Sequence, residues 1–199
     1  MKWGKNRWRG IALTLLAAAA LVAGCAREEG DTPAGRVQAY YGGLHSASTN
    51  VTVTADSGVI MEYELSVEKN DEQSSATVVA PAEIAGVRCV MTENGTKLQY
   101  DDAELETLLP PIAGFTPVDC VDGLLNTLAG AAPTEWCSET KNEVDCLSLT
   151  YEMESGDHKA MKRVWLAQDD LRPVWAEWYL EGDQIMHAAF AGFTAESEG

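Results

Sequence analysis

The chain reads as an α+β domain, with one strongly curved antiparallel sheet and helices packed on its concave face. Three observations point there. Apolar and polar residues alternate over most of the length, short turn-forming groups separate these runs, and only two segments carry a helical period.

The first helical period covers about 34–47. Val37, Tyr40, Tyr41 and Leu44 share one face, Pro33 stands near the start, and Gly42-Gly43 weakens the pattern. The period then becomes two. Val51, Val53 and Ala55 alternate with polar neighbours. Met61, Tyr63, Leu65 and Val67 alternate with Glu62, Glu64, Ser66 and Glu68, which describes a strand with one wet face. Ala76, Val78 and Ala80 continue after a turn at Asn70-Asp71, and a break from Pro81 to Gly86 follows. Val87, Cys89 and Met91 form the next run. Asn94-Gly95 predicts a hairpin turn, and Leu98 and Tyr100 close the pair.

An apolar loop with Pro110 and Pro111 then leads to a second helical stretch over 118–128, with Val121, Leu124, Leu125 and Leu128 on one side. Strands are expected near 134–140, 144–153, 159–167, 173–180 and 185–194. The turns between them are Lys141-Asn142, Ser155-Gly156-Asp157, Asp169-Asp170 and Glu181-Gly182-Asp183.

The N-terminus carries Lys2, Lys5, Arg7 and Arg9 and no acidic residue. An apolar run of about a dozen residues follows, shorter than the roughly 20 that span a bilayer. This describes a secretory signal over residues 1–24. Leu21-Val22-Ala23-Gly24-Cys25 completes it and resembles the lipobox of bacterial lipoproteins. The resemblance implies cleavage before Cys25 and a diacylglycerol on its sulfur, giving an extracytoplasmic protein anchored to the cell membrane, or to an outer membrane in a Gram-negative host. Two acyl chains anchor stably where one is marginal. Residues 25–33 are polar and read as a tether, and residues 34–199 as a single domain.

The signal holds four of the 14 basic residues and none of the 31 acidic ones, leaving 10 basic against 31 acidic after Gly24. A surface this acidic excludes nucleic acid and flat adsorption onto anionic lipid.

Four cysteines remain beyond Cys25. With Lys141-Asn142 as a two-residue loop, Cys137 and Cys146 face each other on a non-hydrogen-bonded pair. Such pairs have Cα atoms about 4.5 Å apart, within disulfide range. A Cys137–Cys146 bridge is therefore expected, and Cys89–Cys120 as a second. Reduced thiols are the alternative in an anaerobic host. The spacings match no common zinc pattern.

No catalytic motif is present. The histidines are His45, His158 and His187, with no nucleophile elbow, zinc helix or phosphate loop around them. His187 reads as a core histidine. The acidic run at 101–106 lacks the glycine and spacing of a calcium loop. Neither an enzyme nor a cofactor is expected.

The C-terminal residues are more specific. Val164-Trp165-Leu166, the acidic turn at Asp169-Asp170, Leu171-Arg172-Pro173, Glu177-Trp178-Tyr179, Gly182, Ile185 and Phe190 to Phe193 resemble the strand–turn–strand ending of LolA- and LolB-like lipoproteins. Germination lipoproteins of the GerS type from Gram-positive spore formers look nearest. The resemblance implies an incomplete antiparallel barrel wrapped around a helical lid, with an apolar cavity for lipids or lipoproteins, or a sensor role in the envelope. An anchored chain differs from a free shuttle. Met61, Tyr63, Leu65, Met91, Met153 and Trp178 are the expected lining for an acyl chain. The alternative is a filled cavity and a non-catalytic scaffold or sensor that contacts a protein partner, such as a cell-wall or spore-germination enzyme. Trp175 and Tyr179, opposite Val174, Ala176, Trp178 and Leu180, would then be its anchors.

Overall fold

The computed structural model describes residues 32–107 and 112–197. The signal, Cys25, most of the tether and residues 108–111 of the apolar loop lie outside them. Among the described residues there are two α-helices, α1 (Pro33–Gly42) and α2 (Cys120–Gly130), and eleven strands. The strands are β1 (Leu44–Asp56), β2 (Ile60–Asn70), β3 (Gln73–Ala80), β4 (Arg88–Thr92), β5 (Gly95–Tyr100), β6 (Ala103–Thr107), β7 (Glu135–Lys141), β8 (Val144–Ser155), β9 (His158–Ala167), β10 (Pro173–Leu180) and β11 (Asp183–Ser197). They form one antiparallel sheet in the order β6-β5-β4-β3-β2-β1-β11-β10-β9-β8-β7. Its edges, β6 and β7, are not hydrogen-bonded to each other, so the barrel is incomplete.

Helix α1 starts where its caps dictate. The Thr32 hydroxyl accepts from the Gly35 N–H at 3.0 Å, and Pro33 occupies the first turn. It stops at Gly42, and the Gly43 N–H closes onto the Ala39 carbonyl. The helical stretch expected to reach residue 47 is therefore shorter. Leu44 to Ala47 belong to β1 and pair with β11 and β2. Leu44 fits both periods, and the paired glycines decide against the longer helix.

The inner face of the sheet follows the alternation seen in the sequence. Val51 pairs with Leu65 and Phe190, and Val53 with Tyr63 and Ala188. Val51, Val53, Leu65 and Ala188 join Val37 and Tyr41 of α1 and Val121, Leu124, Leu125 and Leu128 of α2 in one buried cluster, with Tyr63 and Phe190 partly buried against it. The two helices lie against each other inside the curve. Tyr41 fixes α1 further, since its hydroxyl donates to the Leu171 carbonyl at 2.6 Å.

Two turns sit one residue from their expected place. β4 and β5 pair Thr92 with Gly95, so Glu93-Asn94 form the loop rather than Asn94-Gly95. β7 and β8 pair Lys141 with Val144, so the loop is Asn142-Glu143, with φ of 51° and 65°. Positive φ at both loop residues is the turn whose twist matches a hairpin, and Asn tolerates the first of these positions. This register overturns the argument for a Cys137–Cys146 bridge. Cys137 now faces Ser148, and Cys146 faces Glu139. The two cysteines are diagonal neighbours, a placement that separates Cα atoms by roughly 7–8 Å, at or beyond the usual disulfide reach. All four described cysteines are free thiols, including the expected pair Cys89 and Cys120.

Two outcomes follow. At Gly123 an added Cβ would lie 2.4 Å from the Cα of Gly114, backbone against backbone. Gly123→Ala is expected to destabilise the domain by about 1–3 kcal/mol in urea unfolding, because neither segment can yield like a side chain. Alkylation of the folded domain is expected to modify the exposed Cys137 first, while buried Cys89, Cys120 and Cys146 react only on unfolding. Peptide mass mapping over time checks the order.

Candidate functional site

A cavity of about 590 Å³ opens between α2 and the two arms of the sheet. Met91, Thr92 and Thr96 line it from β4 and β5. Met153, Glu154 and Ser155 line it from β8, and Asn126, Thr127 and the 112–114 loop close it on the helix side. Of the six residues expected to hold an acyl chain, the structure brings Met91 and Met153 together here. Leu65 and Trp178 are fully buried beneath the helices, in the filled part of the core. Met61 lies at the β1–β2 end of its strand and is 41% exposed, and the Tyr63 hydroxyl meets its sulfur at 3.5 Å.

Helix α2 is held over the sheet by polar contacts. Asp119 precedes its first turn and points backward. Its carboxylate accepts from the Gly114 N–H at 2.8 Å, the Thr116 N–H at 2.8 Å and the Thr116 hydroxyl at 2.6 Å. This pins the 112–116 loop against the helix, where Gly114, at φ +78°, meets Gly123. Lys69 of β2 ties the outer side of α2, with its ammonium 2.7 Å from Asp122.

Beneath this junction lies Lys162, a residue that sequence reasoning passed over. It is in phase with Ala160, Val164 and Leu166 on β9, so it points inward, and it is 2% exposed. Its ammonium donates to the Gly123 carbonyl at 3.0 Å, the Thr127 hydroxyl at 3.1 Å and the Ala113 carbonyl at 3.4 Å. The Phe115 ring lies 5.4 Å away. Its cross-strand neighbours are Tyr151 on β8 and Trp178 on β10. Both are buried, and among the described residues the Tyr151 hydroxyl and the Trp178 indole nitrogen have no hydrogen-bond partner. Burial pulls Lys162 down to about 8, against the opposing pull of the Asp119 charge. Burial also pushes the Cys120 thiol and the Tyr151 hydroxyl up, so both are neutral at neutral pH.

The outer face carries a separate network. Lys141 sits over the rings of Trp165 and Trp175, 4.3 and 4.8 Å from their centroids, and Arg163 over Trp165 at 4.6 Å. Glu139 accepts from Arg163 at 2.7 Å and from the Trp165 indole at 2.8 Å. Glu177 accepts from the Tyr179 hydroxyl at 2.7 Å and the Trp175 indole at 2.9 Å. Burial raises the Glu177 carboxyl, but these bonds and the Lys141 charge outweigh it and hold the group below its usual range. His187 belongs here rather than in the core, stacked on Trp175 with centroids 4.8 Å apart. Among the described residues, no group of three or more His, Cys, Asp or Glu could hold a metal ion.

The lowered Lys162 value has a definite sign. Below pH 8 both folded and unfolded chains hold the proton, and the burial penalty is felt in full. Between about 8 and 10.5 only the unfolded chain holds it, so stability rises with pH across that window. Urea unfolding of the wild type relative to Lys162→Met is expected to shift in the wild type's favour by about 1–3 kcal/mol from pH 7 to pH 10. A difference that stays flat would contradict the placement of this group.

Compared by sequence, the chain matches no family model and no curated protein. Solved structures do match. A LolA superfamily protein from Nitrosomonas europaea is 14% identical, covering 84% of this chain and 96% of that one, at a TM-score of 0.40. Lipoprotein LppX from Mycobacterium tuberculosis is 14% identical over 80% and 92%, at 0.46. An uncharacterized conserved protein from Thermus thermophilus is 10% identical over 83% and 87%, at 0.51, and shares the fold. The chain shares the fold of that Thermus thermophilus protein, here an incomplete antiparallel barrel with, among the described residues, two helices inside its curve.

Proposed function

We propose that the protein is a lipid-anchored extracytoplasmic lipoprotein that takes an acyl chain into the cavity beneath α2. The observation that carries this reading is the opening of about 590 Å³ between α2 and the sheet arms, faced by Met91 and Met153 from opposite sides. Small-molecule sites have this size, and methionine reshapes around varied apolar ligands. The lipobox-like residues ending in Cys25 supply the anchor, so the protein acts at its own membrane and does not ferry cargo. Its role is binding, with no catalytic step.

A second reading rests on the outer face, where half-buried Trp175, Tyr179, Lys141 and Arg163 gather around the buried Trp165. There the protein would be an envelope scaffold or sensor for a protein partner, a cell-wall or germination enzyme among them.

The test uses the domain from Arg27 onward. The buried cluster and the hydrophobic residues packed against it run from Ala34 to Ala195, so this form keeps the core. Native mass spectrometry of the exported domain is expected to show a lipid-range adduct that denaturation releases. Met91→Trp and Met153→Trp, which fill the cavity, are expected to lower occupancy by about tenfold or more, consistent with overpacking of a few kcal/mol. A clean apo mass after incubation with a total lipid extract would end this reading and favour the outer face.

A further inference from the structure

One row of the inner face is chemically unlike the rest. Tyr151, Lys162 and Trp178 stand side by side on β8, β9 and β10, surrounded by apolar residues. The row holds an ammonium and two hydrogen-bond donors without partners among the described residues, and no residue of the row is an anion. Every acceptor that Lys162 meets is neutral: two carbonyls and one hydroxyl. Among the described residues no carboxylate lies within ion-pair distance of it. The nearest candidates are occupied. Asp119 spends its carboxylate on Gly114 and Thr116, and Asp122 is paired with Lys69. The Asp119 charge acts on the ammonium only from beyond ion-pair distance; a buried charge without a direct ion pair is costly, and an anion brought beside it recovers part of that cost. Lys162 also lines the same cavity as Met91 and Met153.

We propose that Lys162 anchors the head group of the ligand: its ammonium takes the carboxylate of a long-chain fatty acid whose tail lies along Met91 and Met153. The inference rests on the acyl-binding reading and names the chemical class it binds. A carboxylate fits better than a phosphate. One ammonium balances one negative charge, and the Asp119 and Glu154 carboxylates around the cavity repel a dianion more strongly than a monoanion. No arginine lines the cavity among the described residues, and arginine forks are the usual means of holding phosphate.

Displacement of a fluorescent long-chain acyl probe from the Arg27-onward domain tests this, with lauric acid, methyl laurate and dodecyl phosphate as competitors at neutral pH. The wild type is expected to bind laurate about tenfold or more tighter than its methyl ester, the scale of a hydrogen bond to a charged group. Lys162→Met and Lys162→Gln are expected to bring the two affinities together while the ester still displaces the probe. The wild-type comparison alone decides the matter if neither variant folds. Equal affinity for acid and ester, a preference that survives in both variants, or dodecyl phosphate outcompeting laurate would each overturn the assignment. Failure of the probe itself to bind would instead remove the acyl-binding reading beneath it.

Discussion

The structure depends on a mismatch between one wide sheet and two short helices. Eleven strands at about 4.8 Å spacing span roughly 50 Å across the sheet. Helices of 10 and 11 residues are only about 15 and 16 Å long. Curling the sheet shortens the surface to be covered, and the helices then seal its centre. The core cluster draws on β1, β2, β3, β8, β9, β10 and β11 but takes nothing from β5, β6 or β7. Inward-facing residues on those outer strands stay open to solvent, with Leu105 65% and Trp136 49% exposed. The cavity lies where coverage ends, so it is a consequence of proportions rather than of any one motif.

Because coverage is scarce, the seating of α2 matters out of proportion to its length. Leu124 and Leu128 hold it by burial, which has no direction. Direction comes from the polar junction. The Gly114–Gly123 approach sets how close the loop comes, Asp119 fixes the loop, and Lys162 ties helix and loop to β9. A buried cation is an expensive way to orient a helix when a well-packed apolar residue of similar volume is often neutral or better. The same side chain therefore has a structural role and a charge that, among the described residues, no carboxylate meets at ion-pair distance.

Much of this could be read from residues alone, and the failures have physical causes. Alternation at Val51, Val53 and Ala55, or at Met61 through Val67, marks strands because their two faces meet different solvents. The five C-terminal strands fall within a few residues of where the turns place them. Leu44 stands at an element boundary and satisfies both periods. The turns at Asn94 and Asn142 fall one residue from where composition marks them, since composition marks a turn but backbone twist chooses which residues occupy it. That single slip moved Cys137 opposite Ser148 and removed the disulfide argument. Lys162 was legible in principle, as a charge in phase with Ala160, Val164 and Leu166. The cavity was not, because it depends on how far the arms of the sheet stand from α2, and no local pattern carries that distance. Met91 and Met153 are 62 positions apart in the numbering, and only the curl of the sheet brings them to one opening.

The two faces of the sheet also answer their charges differently, and this separates their roles. On the outer face the charges around the tryptophans are paired: Arg163 with Glu139, Lys141 with Glu177, and indole and phenol donors on the same carboxylates. Such a surface is complete as it stands, and a partner there would have to displace contacts already made. On the inner face the Lys162 ammonium meets three neutral acceptors and, among the described residues, no carboxylate at ion-pair distance, with the buried Asp119 charge acting on it only from further off, and the Trp178 indole N–H and Tyr151 phenol have no acceptor there. Polar groups buried in low dielectric are held strongly to whatever satisfies them. The incomplete side of the molecule is thus the side with both the opening and the unmet hydrogen bonds, which is why the inner face, rather than the more conspicuous row of tryptophans outside, carries the functional argument.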